Sequence, residues 1–370
     1  MKTYRAALIG SGMILNGAHI PAIQALGGRI EIVAVCDQRE DAAAFTAQKL
    51  GVPWYTDCQT MLDACSADLL VNCTSNAYHK PYTLMGLKAG LDVITEKPAV
   101  LSYADARDIL AAAETSGRKF FPTQTGRFTH HNLTAKKWID QGLLGQLYFA
   151  DISIIRRRGV PQWGQFHIKA HNLAGAFADM AVHNIDALLS FCGNPLLKSA
   201  RASMYTKAVK NGETVLISNK ESGAFDGTFI PREFSIDEMD VEEFAVGTLH
   251  FDNGMTVSFR VAWAIDLPEE SSFRLVGDRG GLVMPEMRLY KTIGQSQSEI
   301  CPKVFDDTSN AVPGWGHWVC YEHILDDLDG IKPYPVTSQQ MLNTAAILEA
   351  VYRSAELDRE VTASEIVRDA

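Results

Sequence analysis

The sequence predicts an α/β protein: an N-terminal Rossmann-type, doubly wound parallel sheet, then an α+β domain with a large open, mostly antiparallel sheet. Three observations predict it. Short apolar strands alternate with helical segments from Ala6 to Pro122, the rhythm of β-α units. The first strand runs into Gly10-Ser11-Gly12 and then a helix, the turn a dinucleotide pyrophosphate needs. From Val241 onward, strands follow one another through Asn-Gly and Gly-Gly turns. At 370 residues the chain exceeds one ordinary core, and the change of pattern after Pro122 divides it into residues 1–123 and 124–370.

Composition narrows the function. The net charge of −10 disfavours a nucleic-acid partner, since phosphate binding needs a basic surface. No apolar run approaches a membrane span, so no membrane partner is expected. The seven cysteines are odd in number and form no C-x-x-C pair, which suits reduced packing residues of a cytoplasmic protein. The N-terminus runs directly into a strand, and no signal peptide is expected.

In order, the first strand is Ala6–Gly10. Gly10 and Gly12 let the backbone approach a pyrophosphate, with Met13 and Ile14 opening the helix behind them. The third glycine of the fingerprint is replaced by Leu15. The strand Glu31–Cys36 ends on Asp37, placed to accept a ribose 2′-hydroxyl and repel a 2′-phosphate. That favours NAD, and Arg39 keeps NADP open as the alternative. The strand Asp68–Cys73 ends on Thr74-Ser75-Asn76, polar groups suited to a ribose or nicotinamide, with His79 following. The strand Leu91–Ile94 delivers Glu96-Lys97-Pro98 at its carboxyl end, where ligands of such sheets bind. A helix over 104–116 and the strand Lys119–Pro122 complete the domain.

These residues resemble the Gfo/Idh/MocA oxidoreductases. Gly10, Gly12, His19, Asp37, Thr74-Ser75-Asn76, His79 and Glu96-Lys97-Pro98 carry the likeness. The resemblance implies that Gly10, Gly12, Met13, Ile14, Asp37, Thr74, Ser75, Asn76, His79, Glu96 and Lys97 form the cofactor site. It also implies that Lys97 contacts both the nicotinamide side and a substrate hydroxyl.

The second half extends the likeness. A helix is expected over 133–141, and Gly142 to Gly145 turns into the strand Leu147–Ile155. Arg156-Arg157-Arg158-Gly159-Val160-Pro161-Gln162-Trp163-Gly164 is the one basic run, and arginine with Trp163 and Phe166 suits a sugar ring. Arg127 and Trp163 join Lys97, Asp179 and His183 as candidate substrate contacts. Asp179 and His183 are four apart in a helical stretch from Gly175, so one face presents both. Asp179, His183 and Asp186 match the family's second motif, while its glycine run is reduced to Gly175. His167 with His171, and His130 with His131, lack a third ligand at fitting spacing, and no metal is expected.

Strands follow at Val241–Phe251, Thr256–Trp263, Ser272–Val276 and Leu282–Met284. The polar stretch Lys291–Pro313 reads as an irregular excursion, and helices are expected over 315–329 and 339–357. An open sheet exposes a broad face, so a homo-oligomer, dimer or tetramer, is expected through it. The combined expectation is an NAD-dependent dehydrogenase of a sugar or cyclic polyol, with Lys97, Asp179 and His183 catalytic. The alternatives are an NADPH-preferring keto-sugar reductase and a dinucleotide-sensing regulator without turnover, which would be expected to lack the lysine or histidine.

Overall fold

The computed structural model of the chain describes residues 2–209, 224–225, 227–302 and 314–370. The first sheet contains β1 (Tyr4–Ile9), β2 (Ile30–Cys36), β3 (Trp54–Tyr55), β4 (Leu69–Asn72), β5 (Asp92–Thr95) and β6 (Phe120–Pro122). Its order is β3-β2-β1-β4-β5-β6, and every pairing is parallel. β1 and β4 are apolar on both faces because helices cover both, so their sequences run without polar alternation. The order reverses between β1 and β4, the switch point at which the loops of such sheets part to leave a crevice. The helices between strands are punctuated locally. Asp57 caps Cys58–Ala64 by accepting from the Thr60 N–H, and Ser102 caps Tyr103–Ser116 by accepting from that of Asp105.

The second sheet contains β7 (Leu147–Ile155), β8 (Leu197–Tyr205), β9 (Phe244–Phe251), β10 (Thr256–Ala262), β11 (Glu270–Gly277), β12 (Gly280–Met284), β13 (Arg288–Ile293), β14 (Ser296–Ile300) and β15 (Val361–Thr362). Its order is β14-β13-β12-β11-β7-β10-β9-β8-β15, antiparallel throughout except for β7 with β10. One face buries Ile152, Val257, Phe259 and Leu275 in a core shared with helices Val182–Phe191 and Ser338–Leu357. Elsewhere the sheet carries a polar lattice in which Arg274 pairs with Asp151 and Glu270, and Arg260 with Glu270.

Three expectations change. Residues 291–300, expected as an excursion, form most of the β13–β14 hairpin; its side chains are polar because it lies at the sheet edge, and 303–313 lie outside the described residues. β8 was not anticipated, since its small Ser and Ala residues give weak alternation. Helix Trp315–Leu328, assigned with the second half, buries Cys320, Tyr321, Ile324 and Leu325 against Tyr4, Leu8 and Ile23 of the first. The chain therefore returns to the Rossmann domain, and Tyr4 and Arg29 each bond Asp329 to hold it there.

Candidate active site

The cradle for a dinucleotide begins where β1 ends. Gly10 has φ +92°, and a Cβ there would lie 2.6 Å from the Cys73 backbone, so only glycine lets these chains approach. A Cβ on Gly12, by contrast, meets nothing within 4 Å, so open space lies before the turn. Asp37 ends β2 and accepts from the N–H of Ser11 at 2.7 Å and of Arg39 at 2.8 Å. Burial pushes its carboxyl above the usual range, against those two donors. A cavity of about 150 Å³ here is lined by Gly10, Gly12, Asp37, Gln38, Thr74 and Tyr82. These residues fit a dinucleotide: a glycine turn with space before it, and an acid at the end of the second strand. The Arg39 guanidinium is held by Asp41 and the Ile230 carbonyl.

A second cavity, about 280 Å³, shares Gly12, Cys73, Thr74, Ser75 and Gln165 with the first. Met13, Ile14, Asn76, Glu96 and Lys97 line it from the Rossmann side; Arg156, Trp163, Phe166, Asn172 and Asp179 line it from the other. Ser75 donates to Gln165, and Asn76 to the Asn172 carbonyl, so the turn after β4 is tied to the second domain. Lys97 Nζ donates to the Asp179 carbonyl and to Oδ1, both at 2.9 Å. Trp263 Nε1 donates to Asp179 Oδ2 at 3.0 Å. Burial opposes ionisation of Asp179, yet Lys97, Arg156 and the Trp263 hydrogen bond together outweigh it and the carboxyl stays below its ordinary range.

Asp179 and His183 do not share a plain α-helical face. Asp179 belongs to a π-helical turn, Phe177–Ala181, and His183 to the α-helix Val182–Phe191. The wider turn changes the angle between them, as π-turns at functional sites commonly do. Asp179 lines the cleft beside Lys97, whereas His183 lines an adjoining depression with Ile14, Gly126, Asn132 and His317. His183 Nδ1 is buried and has no hydrogen-bond partner among the described residues. Burial, then the Lys97 charge, pushes the imidazole down to about 3. The near-neutral pKa of an ordinary histidine therefore does not apply to it.

Glu96 is a hub. Its Oε1 accepts from His19 Nε2 at 2.8 Å, His317 Nε2 at 2.9 Å and the Thr123 hydroxyl at 2.9 Å; Oε2 accepts from the Lys97 N–H at 2.9 Å. Although burial opposes its charge, these donors hold the carboxyl well below its usual range. The Tyr321 hydroxyl reaches His19 Nδ1 at 2.7 Å, which assigns His19 the neutral tautomer with its proton on Nε2. Glu96 thus fixes the loop that carries Lys97. The three ligating groups of His19, Glu96 and His317 lie within 4.8 Å of one another, a grouping invisible in a sequence that spreads them over three segments.

Two expected contacts are redirected. His79 places both ring nitrogens on backbone carbonyls, of Pro98 and Thr74, and so supports the turn after β4 from behind. Arg127, expected at the substrate, is buried in a two-pronged pair with Asp186 and donates to the Pro335 carbonyl. The sequence places Arg127 between the domains but does not reveal that Asp186 claims it. Trp263 and His317 were missed, because neither stands in a motif.

A Rossmann sheet whose crevice runs into a cleft closed by a second domain, with a lysine facing an acid across it, defines a two-domain nicotinamide-dependent oxidoreductase. Residues 4–124 match the oxidoreductase family with NAD-binding Rossmann fold, and residues 132–283 the GFO/IDH/MocA C-terminal domain. The chain belongs to the Gfo/Idh/MocA oxidoreductase family. It is 27% identical over 361 residues to D-glucoside 3-dehydrogenase of Escherichia coli, covering 96% of this chain and 97% of that protein. D-apiose dehydrogenase of Paraburkholderia graminis is 26% identical over 226 residues, 60% of this chain and 59% of that one. Among solved structures, the WlbA dehydrogenase of Bordetella pertussis in complex with NADH and UDP-GlcNAcA aligns with a TM-score of 0.74 at 24% identity, over 98% of each chain. GenD2 from gentamicin A biosynthesis, in complex with NAD, aligns at 0.75 and 22% identity, over 98% of this chain and 97% of that one.

Proposed function

We propose that the protein is an NAD-dependent dehydrogenase acting on a secondary hydroxyl of a sugar ring, glycoside or cyclic polyol. The observation that carries this is the Lys97–Asp179 contact, which puts an ammonium group in the cleft between the dinucleotide cradle and the second domain. The bound nicotinamide supplies the hydride acceptor. Lys97 donates to the carbinol oxygen and stabilises the charge that develops there as hydride leaves. Asp179, held by Trp263, orients Lys97 and accepts from a neighbouring hydroxyl.

His183 takes the hydroxyl proton. It enters neutral, the state a proton acceptor needs, and the alkoxide charge developing beside it raises its proton affinity. Trp163 and Phe166 offer apolar faces to the ring. Asp37, paired among the described residues with backbone N–H groups, remains an acceptor for a ribose hydroxyl, which supports NAD. Arg39 is committed elsewhere, so no observation favours the NADPH-preferring reductase. The presence of Lys97, Asp179 and His183 together disfavours the non-catalytic regulator.

The likeness to a glucoside 3-dehydrogenase along nearly its whole length supports a glycoside over an inositol. Nicotinamide absorbance over a panel of glycosides, aldoses and inositols, with NAD and NADP in parallel, tests the reading. Reduction of NAD by at least one ring polyol is expected, and binding of NAD without reduction by any of them contradicts it. A second copy docked on the open face of the second sheet, and a cytoplasmic location suited to seven free thiols, complete the proposal. Sedimentation should give a dimer or tetramer.

A further inference from the structure

We propose that the cleft selects a sugar ring bearing a carboxylate, and that Arg156 is the residue that reads it. The proposal rests on the dehydrogenase reading above and names its substrate class.

Arg156 directly follows β7 and lines the cavity of about 280 Å³ together with Lys97 and Asp179. The two cations of that lining differ. Lys97 is paired with Asp179 at 2.9 Å. The Arg156 guanidinium makes no hydrogen bond or ion pair within the described residues, although it is near enough to Asp179 to help hold that carboxyl ionised. Its stem lies close over Gly159, where a Cβ would lie 2.6 Å from Arg156 Cδ, so a larger residue there would displace the arginine.

The carboxylates of the cavity are each engaged by protein donors and meet Arg156 only at a distance, while the second lone pair of an Asp179 oxygen stays open to a ring hydroxyl. Asp179 gives Oδ1 to Lys97 and Oδ2 to Trp263, and Glu96 gives both oxygens to four donors. The formal charges of Lys97, Arg156, Glu96 and Asp179 cancel, so the cavity has no bulk preference for an anion. What it has is a guanidinium fork with no acceptor among the described residues. A ring hydroxyl offers such a fork one oxygen, whereas a carboxylate offers two in matching geometry. The pyrophosphate of the dinucleotide has its own site at the Gly10–Gly12 turn on the Rossmann side, while Arg156 comes from the second domain. Arg157 and Arg158, the next two in the chain, are exposed and take no part.

The test is calorimetric binding of methyl β-D-glucuronide and methyl β-D-glucoside to protein saturated with NADH. Nicotinamide absorbance with NAD-loaded protein runs in parallel, with the NAD affinity of each variant as control. The glucuronide is expected to bind roughly tenfold or more tightly, the scale of one charge-assisted hydrogen bond. Arg156→Gln should bring the two affinities together, and Arg156→Lys should keep part of the preference. Equal affinities in the natural protein overturn the proposal, as does an Arg156→Gln variant that keeps the preference. If the glucuronide preference is present and no sugar reduces NAD, the anion site stands and the dehydrogenase reading falls. If the glucoside is oxidised and no preference exists, the reverse holds.

Discussion

Lys97 Nζ lies 2.9 Å from both the main-chain carbonyl and a carboxylate oxygen of Asp179, 82 residues further along the chain. One side chain from the end of β5 thus spans the cleft to the second domain, and the cofactor cradle and the substrate wall meet at it. Lys97→Met removes the donor to the reacting oxygen and should lower turnover by about 10²–10³-fold, the effect of losing one such donor. NAD affinity should change little, because Gly10, Gly12 and Asp37 are untouched. Stopped-flow turnover and calorimetric NAD titration check both halves.

The pH dependence of catalysis should lack the limb an ordinary histidine gives. His183 is pushed down to about 3 by burial and by Lys97, so it is neutral across the working range. The kcat/KM profile is expected to be flat between pH 5 and 7, with no break near the unperturbed histidine value of about 6.5. A break there that disappears in His183→Asn would show that the imidazole titrates normally and that this account of it is wrong.

Stability should fall with acid for the same reason. The folded-state pKa values of His183 and His19 lie below their unfolded values, chiefly through burial. Below about pH 6.5 the unfolded chain therefore takes up protons that the folded protein does not. Unfolding free energy is fully present above that pH and declines below it, each histidine contributing up to about 1.4 kcal/mol per pH unit. Thermal unfolding followed from pH 7 to pH 5 should show a falling midpoint, with a shallower slope in His183→Asn.

Arg127 and Asp186 form a buried pair that the mechanism does not use. Arg127→Met leaves Asp186 without its partner and should cost about 3–5 kcal/mol, the usual penalty for breaking a buried pair. Arg127→Met combined with Asp186→Leu should recover much of that loss, since no orphaned charge remains. Chemical denaturation of the single and double variants measures it.

Much of this was legible in the sequence where the signal is local. The β-α rhythm, the Gly10–Gly12 turn, Asp37 and Glu96-Lys97-Pro98 each depend on residues adjacent in the chain, and the structure places each at a strand end beside the crevice. Pairings across the fold were not legible. Asp186 claims Arg127 from 59 residues away, and His317 reaches Glu96 from 221. Three consecutive arginines look alike in sequence, and only the path of the chain after β7 turns Arg156 to the cleft and leaves Arg157 and Arg158 exposed. The β13–β14 hairpin escaped notice because an edge hairpin is polar and lacks apolar alternation.

The central claim is that hydride moves between a ring carbinol carbon and a nicotinamide held beside Lys97. Incubation of the protein with NAD and a ring-deuterated glucoside or glucuronide, followed by mass analysis of the nicotinamide, measures this directly. One deuterium is expected in the reduced nicotinamide from the natural protein, with a transfer rate reduced by about 10²–10³-fold in Lys97→Met. Reduced nicotinamide without deuterium, or full transfer by Lys97→Met, would contradict it.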